Sequence, residues 1–182
     1  MKKICFVSLL LFLALALSGC GAAPQGPQAT CQQIAQALQD AADFQPLTAM
    51  TDKYIEKYLL VDGDQLSQAV MLQDATRATP EMILVLAAAD EKNADAVQQA
   101  AQDFLEEQRT AYRDYQPDEM PKLEKARVQR KGTVIVLVVS PDAEKTDAAL
   151  AATWGLDSQL QNQPIFVHYS RYIRHPFARN AT

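Results

Sequence analysis

Histidine is nearly missing from this chain, with only His168 and His175, seven residues apart near the end. The usual neutral-pH bases are therefore absent from everything before them. No His-Glu-x-x-His, paired-cysteine metal spacing, Gly-x-Ser-x-Gly or glycine-rich phosphate loop takes their place, so nothing calls for a metal or any other cofactor. Cysteine is scarce too. Cys5 sits in an apolar leader and Cys20 directly after it, which leaves Cys31 without a partner and excludes a disulfide framework. Cys31 shares one helical face with Ile34, Ala35, Leu38 and Ala42 and reads as a small packed residue, with a reactive thiol as the alternative. Positive charge is in the minority, 17 basic against 22 acidic residues for a net −5. Such a balance argues against nucleic acid or anionic lipid as the main partner.

The chain opens with Lys2 and Lys3, an apolar run from Ile4 to Leu17, and then Leu17-Ser18-Gly19-Cys20. A basic head, an apolar middle and small residues in that order form a secretory signal, and the run falls short of the ~20 residues of a spanning helix. The final four residues resemble the bacterial lipobox, which implies cleavage between Gly19 and Cys20 and a diacylglyceryl thioether on Cys20. Two acyl chains at about 0.8 kcal/mol per buried CH₂ hold a protein stably where one holds it marginally. The expected location is the extracytoplasmic face of a cell membrane, lipid-anchored. A plain signal peptide with an incidental cysteine is the alternative. Gly21 to Thr30, rich in Gly, Pro and Gln and uncharged, reads as a tether reaching at most about 33 Å. The organisation expected is a signal over 1–19, the lipidated cysteine and linker over 20–30, one domain over 31–155 and a tail over 156–182.

Within the domain, apolar spacing predicts a helix over Cys31 to Ala42 with Thr30 as N-cap, and a second over Met50 to Leu60. Leu66–Leu72 and Met82–Ala88 read as strands, joined by the loop-like stretch from Asp74 to Pro80. Asp90 to Tyr115 sets Ala94, Val97, Ala101, Phe104, Leu105, Gln108 and Tyr112 on one face of a long helix, which the prolines of Pro117 to Pro121 end. A hairpin follows: Ala126 to Arg130, a turn at Lys131-Gly132, and the aliphatic run after Thr133 to Val139. Then comes a helix capped by Ser140 with Leu150, Ala151 and Trp154 inward and Gly155 closing it. The expected fold is α+β, with a four-stranded, mostly antiparallel sheet covered by helices, a strand-strand-helix unit occurring twice after an N-terminal helix. Thr133 to Val139 is apolar on both alternating faces, so the chain's own helices are expected on both sides of the sheet, an exposed binding face being the alternative.

Several stretches in order, namely the lipobox, Ala78-Thr79-Pro80-Glu81-Met82-Ile83-Leu84-Val85, Tyr112-Arg113-Asp114-Tyr115, Pro117-Asp118-Glu119-Met120-Pro121-Lys122-Leu123 and Gly132 before the aliphatic strand, resemble a bacterial lipoprotein family catalogued as domain of unknown function 4358. The resemblance runs over roughly Gln32 to Ala152 and weakens after Gly155. It implies a lipoprotein context, common in Gram-positive bacteria, and no assigned activity, substrate or catalytic residue.

Candidate chemistry is thin. Asp118 and Glu119 form a carboxylate pair that reads as solvated loop acids, and Asp62 and Asp64 around Gly63 read as a turn rather than a calcium loop. Two stretches stand out as possible binding elements. One is the connection from Tyr115 through Pro117, Met120 and Pro121, which also reads as a packed crossover. The other is the tail, where Tyr169, Arg171, Tyr172 and Arg174 make a basic, aromatic arm suited to phosphate groups, an anionic polymer or a partner protein, or else an added strand over Pro164 to Ile173. The function expected is non-catalytic binding or scaffolding of an unknown envelope protein or polymer, with an envelope hydrolase working through carboxylates as the alternative.

Overall fold

Thr30 caps the first helix of the domain. Its hydroxyl accepts the Gln33 backbone N–H at 3.2 Å, while the Gln33 side chain accepts the Thr30 N–H at 2.9 Å, a reciprocal capping box. The computed structural model describes residues 29–155. The leader, Cys20, most of the linker and the whole 156–182 tail, including Tyr169, Arg171, Tyr172 and Arg174, lie outside the described residues.

After α1 (Cys31–Ala41) come β1 (Leu47–Ala49), α2 (Asp52–Leu59), β2 (Leu66–Asp74), β3 (Met82–Ala88), α3 (Glu91–Tyr115), α4 (Met120–Lys125), β4 (Val128–Lys131), β5 (Val134–Val139) and α5 (Ala143–Gly155). The strands form one sheet in the order β1-β2-β3-β5-β4, and every neighbouring pair is antiparallel. The sheet thus has five strands rather than four. β1 escaped the pattern because it is three residues long, with none of them buried, so it carries no alternation. Its backbone pairing with Leu72 to Asp74 is what makes it a strand. The expected repeat is present as β2-β3-α3 and β4-β5-α5, with β3 and β5 side by side at the centre.

Both faces of that centre are buried, by opposite sets of helices. Met82, Leu84, Leu86, Ile135 and Leu137 pack with α2, α3 and α4. Ile83, Val85, Val134 and Val136 pack with Cys31, Ile34, Ala35 and Leu38 of α1 and with Leu150 of α5. The period-two alternation of a strand sends consecutive aliphatics into different cores, which is why the run is apolar without interruption.

Local expectations shift in four places. The stretch Pro117 to Pro121 is helical rather than a loop: a 3-10 turn, Pro117–Glu119, leads into α4, and each proline stands in a first turn where its missing N–H costs nothing. At α5, Asp142 rather than Ser140 caps the helix, accepting the Lys145 N–H at 3.2 Å, while Ser140 accepts the Asp142 N–H. Ala151 is exposed, and the inward positions of that helix are Thr146 and Leu150, with Trp154 half-buried. In the hairpin, Lys131 pairs with Val134, which moves the two-residue turn to Gly132 and Thr133; Gly132 takes the positive φ of 58° that such a turn needs. Leu38→Ala is expected to lower unfolding free energy by about 3 kcal/mol, because it empties a fully buried position between α1 and the sheet. Urea denaturation of the variant measures this.

Candidate functional site

The connection between β2 and β3 is built around one carboxylate. Asp74 is almost fully buried at the end of β2, and both of its oxygens are taken: Oδ1 accepts the N–H (2.8 Å) and hydroxyl (2.6 Å) of Thr76, and Oδ2 accepts the N–H (3.0 Å) and hydroxyl (3.1 Å) of Thr79. Aspartate does this readily because its short side chain reaches backbone N–H groups two and more residues ahead. Burial pushes this carboxyl up, but the hydrogen bonds from Thr76 and Thr79 outweigh it and hold the group below the usual carboxylate range.

A second buried carboxylate closes the connection. Glu81 Oε2 accepts the Gln45 N–H at 2.7 Å, and Oε1 accepts from Lys122 Nζ at 2.8 Å. Lys122 also lies 2.7 Å from Glu119, so α4 is moored to the start of β3 by a bridged pair of acids. Burial lowers the Lys122 pKa, and its bonds to Glu119 and Glu81 more than restore it, leaving the ammonium firmly charged. Arg109 of α3 completes the attachment by donating to the free carbonyls of Leu123 and Ala126 at the end of α4.

Tyr112 fastens the loop to the long helix, its hydroxyl lying 2.7 Å from the Thr79 carbonyl and 3.3 Å from that of Arg77. Burial, followed by the charge of Asp74, raises the Tyr112 pKa, so the phenol keeps the proton it donates. Held this way, Arg77 adopts a left-handed backbone with φ 58°, a conformation costing about 1–3 kcal/mol in a residue with a Cβ.

These attachments leave a cleft of about 420 Å³ between the loop, α2 and the C-terminal half of α3. Tyr54 and Tyr58, one turn apart on α2, stack with ring centroids 4.1 Å apart and form one wall. Tyr112 and Tyr115 meet edge to face at 6.3 Å on the other, and Phe104 and Met82 lie at the base. Arg77 reaches across the opening, its Nη2 lying 3.2 Å from the Tyr54 hydroxyl and 3.5 Å from that of Tyr58. Gln73 donates to the Tyr54 hydroxyl at 3.1 Å. The contact with Arg77, helped by Tyr54, holds the Tyr58 phenol below its ordinary pKa.

Of the expected binding residues in the described part, only Tyr115 lines this cleft, and it is 67 % exposed there. Pro117, Met120 and Pro121 are not among the lining residues, and Met120 packs partly buried against the core. Glu119 is engaged with Lys122, and Asp62 belongs to a capped 3-10 turn, Gly63–Gln65, as its reading as a turn anticipated. Cys31 is buried, and desolvation pushes its thiol up to about 11, the behaviour of a packed residue. Among the described residues no group of three His, Cys, Asp or Glu side chains converges as metal ligands would, and no helix is long and apolar enough to cross a membrane.

The residues that sequence reasoning missed are Tyr54, Tyr58, Gln73, Asp74 and Arg77. Two signals pointed to them: tyrosines rather than aliphatics at i and i+4 on the inward edge of α2, and Asp74-Ala75-Thr76, a pattern that folds back on itself by side-chain hydrogen bonds. Loss of Asp74 bares two backbone donors, so Asp74→Ala is expected to destabilise by about 3 kcal/mol. Because the folded-state pKa of Asp74 is depressed, its contribution is present above the unfolded value near 4 and is lost as pH falls through the folded value. Denaturation curves across pH 2 to 7 are therefore expected to fall less on acidification in Asp74→Asn than in the native chain, a range set by the roughly 4 of a free aspartate.

No curated protein and no solved structure matches the chain. A family model described as Domain of unknown function (DUF4358) matches residues 40–140, more than half of the chain. That span holds the five strands, the cleft and the three helices beside it, while α1 and α5, which cover the opposite face, flank it almost entirely. The chain belongs to this family of domains of unknown function.

Proposed function

We propose that the protein is a lipid-tethered, extracytoplasmic binding protein whose tyrosine-walled cleft holds part of another envelope component without converting it. The tether rests on the lipobox at Leu17 to Cys20. The binding reading rests on one observation: the cleft offers aromatic faces and a guanidinium, while the buried carboxylates at its edge, Asp74 and Glu81, are fully engaged in holding its wall.

That engagement also bears on the hydrolase alternative. A general acid needs a raised carboxyl pKa, and a base needs a lone pair free to reach substrate. Asp74 has a lowered pKa and spends both oxygens on its own loop. Tyr58 and Tyr115, by contrast, present ring surface to whatever enters, and aromatic side chains of this kind recur as anchors in binding sites. The tail, with Tyr169, Arg171, Tyr172 and Arg174, is a second proposed contact.

Crosslinking on intact cells tests the proposal. The full-length protein is expected to yield a specific adduct that Tyr58→Ala loses, and Cys20→Ser is expected to move the protein from the membrane fraction to the soluble one. An adduct that survives Tyr58→Ala but vanishes on truncation after Gly155 would assign the contact to the tail instead. No adduct from any form would contradict the binding reading.

A further inference from the structure

The cleft carries a cation with no anion of its own. Arg109, Arg127 and Arg130 each sit against a carboxylate, on Glu106, Asp147, and Asp95 with Glu91 respectively. Among the described residues no ion pair joins Arg77 to an acid; its guanidinium donates to the phenol oxygens of Tyr54 and Tyr58. Asp74, the nearest acid in sequence, has both oxygens filled by Thr76 and Thr79. In a chain with 22 acids to 17 bases, an arginine that forms no ion pair among the described residues and is aimed across a concave surface is set up to receive a charge from outside.

The geometry suits that use in three ways. First, both of these contacts fall on Nη2, so the other N–H groups of the guanidinium face a planar or tetrahedral anion, which arginine grips with two donors at once. Second, Tyr58 accepts from Arg77 and from the Tyr54 hydroxyl, so it keeps its own hydroxyl proton to offer a second oxygen of the same anion. Third, Lys57 Nζ lies 5.9 Å from the centre of the Tyr58 ring and adds positive potential beside that tyrosine. The left-handed backbone at Arg77, kept in place by Asp74 and Tyr112, fixes where the guanidinium starts from.

We propose that the cleft recognises a ligand through an anionic group, a carboxylate or a phosphate monoester, seated on Arg77 and the Tyr58 hydroxyl, with the adjoining ring or apolar portion lying between the tyrosine walls. This rests on the binding reading above and adds the chemical class of the ligand. The volume of about 420 Å³ admits a ring-sized group joined to such an anion.

The test is a titration of the full-length protein in detergent with phenylacetate, phenyl phosphate and the neutral benzyl alcohol, followed by NMR at the Arg77 side-chain Nε–H and the tyrosine rings. At least one anion is expected to bind roughly tenfold more tightly than benzyl alcohol, the factor that about 1.4 kcal/mol of charge-assisted hydrogen bonding supplies. Which anion binds separates a carboxylate source from a phosphate one. Arg77→Gly provides the decisive variant, because glycine accepts φ 58° without strain. It is expected to fold at least as stably as the native chain while losing the anion preference and keeping weak benzyl alcohol binding. Arg113→Gln, a change elsewhere on α3, is expected to leave all three affinities unchanged. Benzyl alcohol binding as well as the anions, or an anion preference that survives Arg77→Gly, would overturn the anionic assignment while leaving the cleft as a binding site. Absence of binding by all three probes would overturn the assignment too, and intact-cell crosslinking with Tyr58→Ala then decides separately whether the cleft binds anything.

Discussion

The arrangement around the cleft depends on the burial of two carboxylates, Asp74 and Glu81, at the two ends of one loop. Each is removed from water, and each is matched by donors that the fold delivers to it: four from Thr76 and Thr79, one from the Gln45 backbone and one from Lys122. A buried charge is tolerated only when paired or hydrogen-bonded. The loop cannot relax outward without stranding one of them, so its shape is set by the cost of exposing their partners rather than by apolar packing. Tyr112 then ties the loop to α3, and Lys122 ties it to α4.

The same constraint explains why widely separated stretches belong together. Thr79 to Met82 lies far along the chain from Tyr112 to Tyr115 and from the adjoining Pro117 to Leu123, yet a tyrosine hydroxyl and a lysine ammonium bring them to one end of the sheet. Arg109 adds the carbonyls of Leu123 and Ala126 to that junction. The opposite layer is simpler in kind. α1 and α5 cover Ile83, Val85, Val134 and Val136 through apolar contact, and Cys31 contributes there as one more small buried side chain.

Much of this fold was legible because it obeys periodicity. The long helix showed its inward face residue by residue, and the six aliphatics of β5 announced a strand buried on two sides. β1 was illegible because three residues with none buried carry no pattern, and α4 because prolines read as helix breakers unless their place in the first turn is known. The cleft was legible only at Tyr115. Tyr54, Tyr58 and Arg77 become a site through tertiary contact: the two tyrosines belong to an ordinary amphipathic helix, and the arginine to a loop whose left-handed turn no local rule for arginine foretells.

The claim underneath the functional reading is that the loop from Asp74 to Glu81 is a fixed wall rather than a flap that ligand must order. Native-state hydrogen exchange at the Thr76 and Thr79 amides, both of which donate to Asp74, addresses it directly. A preformed wall predicts that both amides exchange far more slowly than free-loop amides in the unliganded protein, and that Asp74→Asn speeds them without affecting the amides of β3. Exchange at free-loop rates in the native chain would contradict the account.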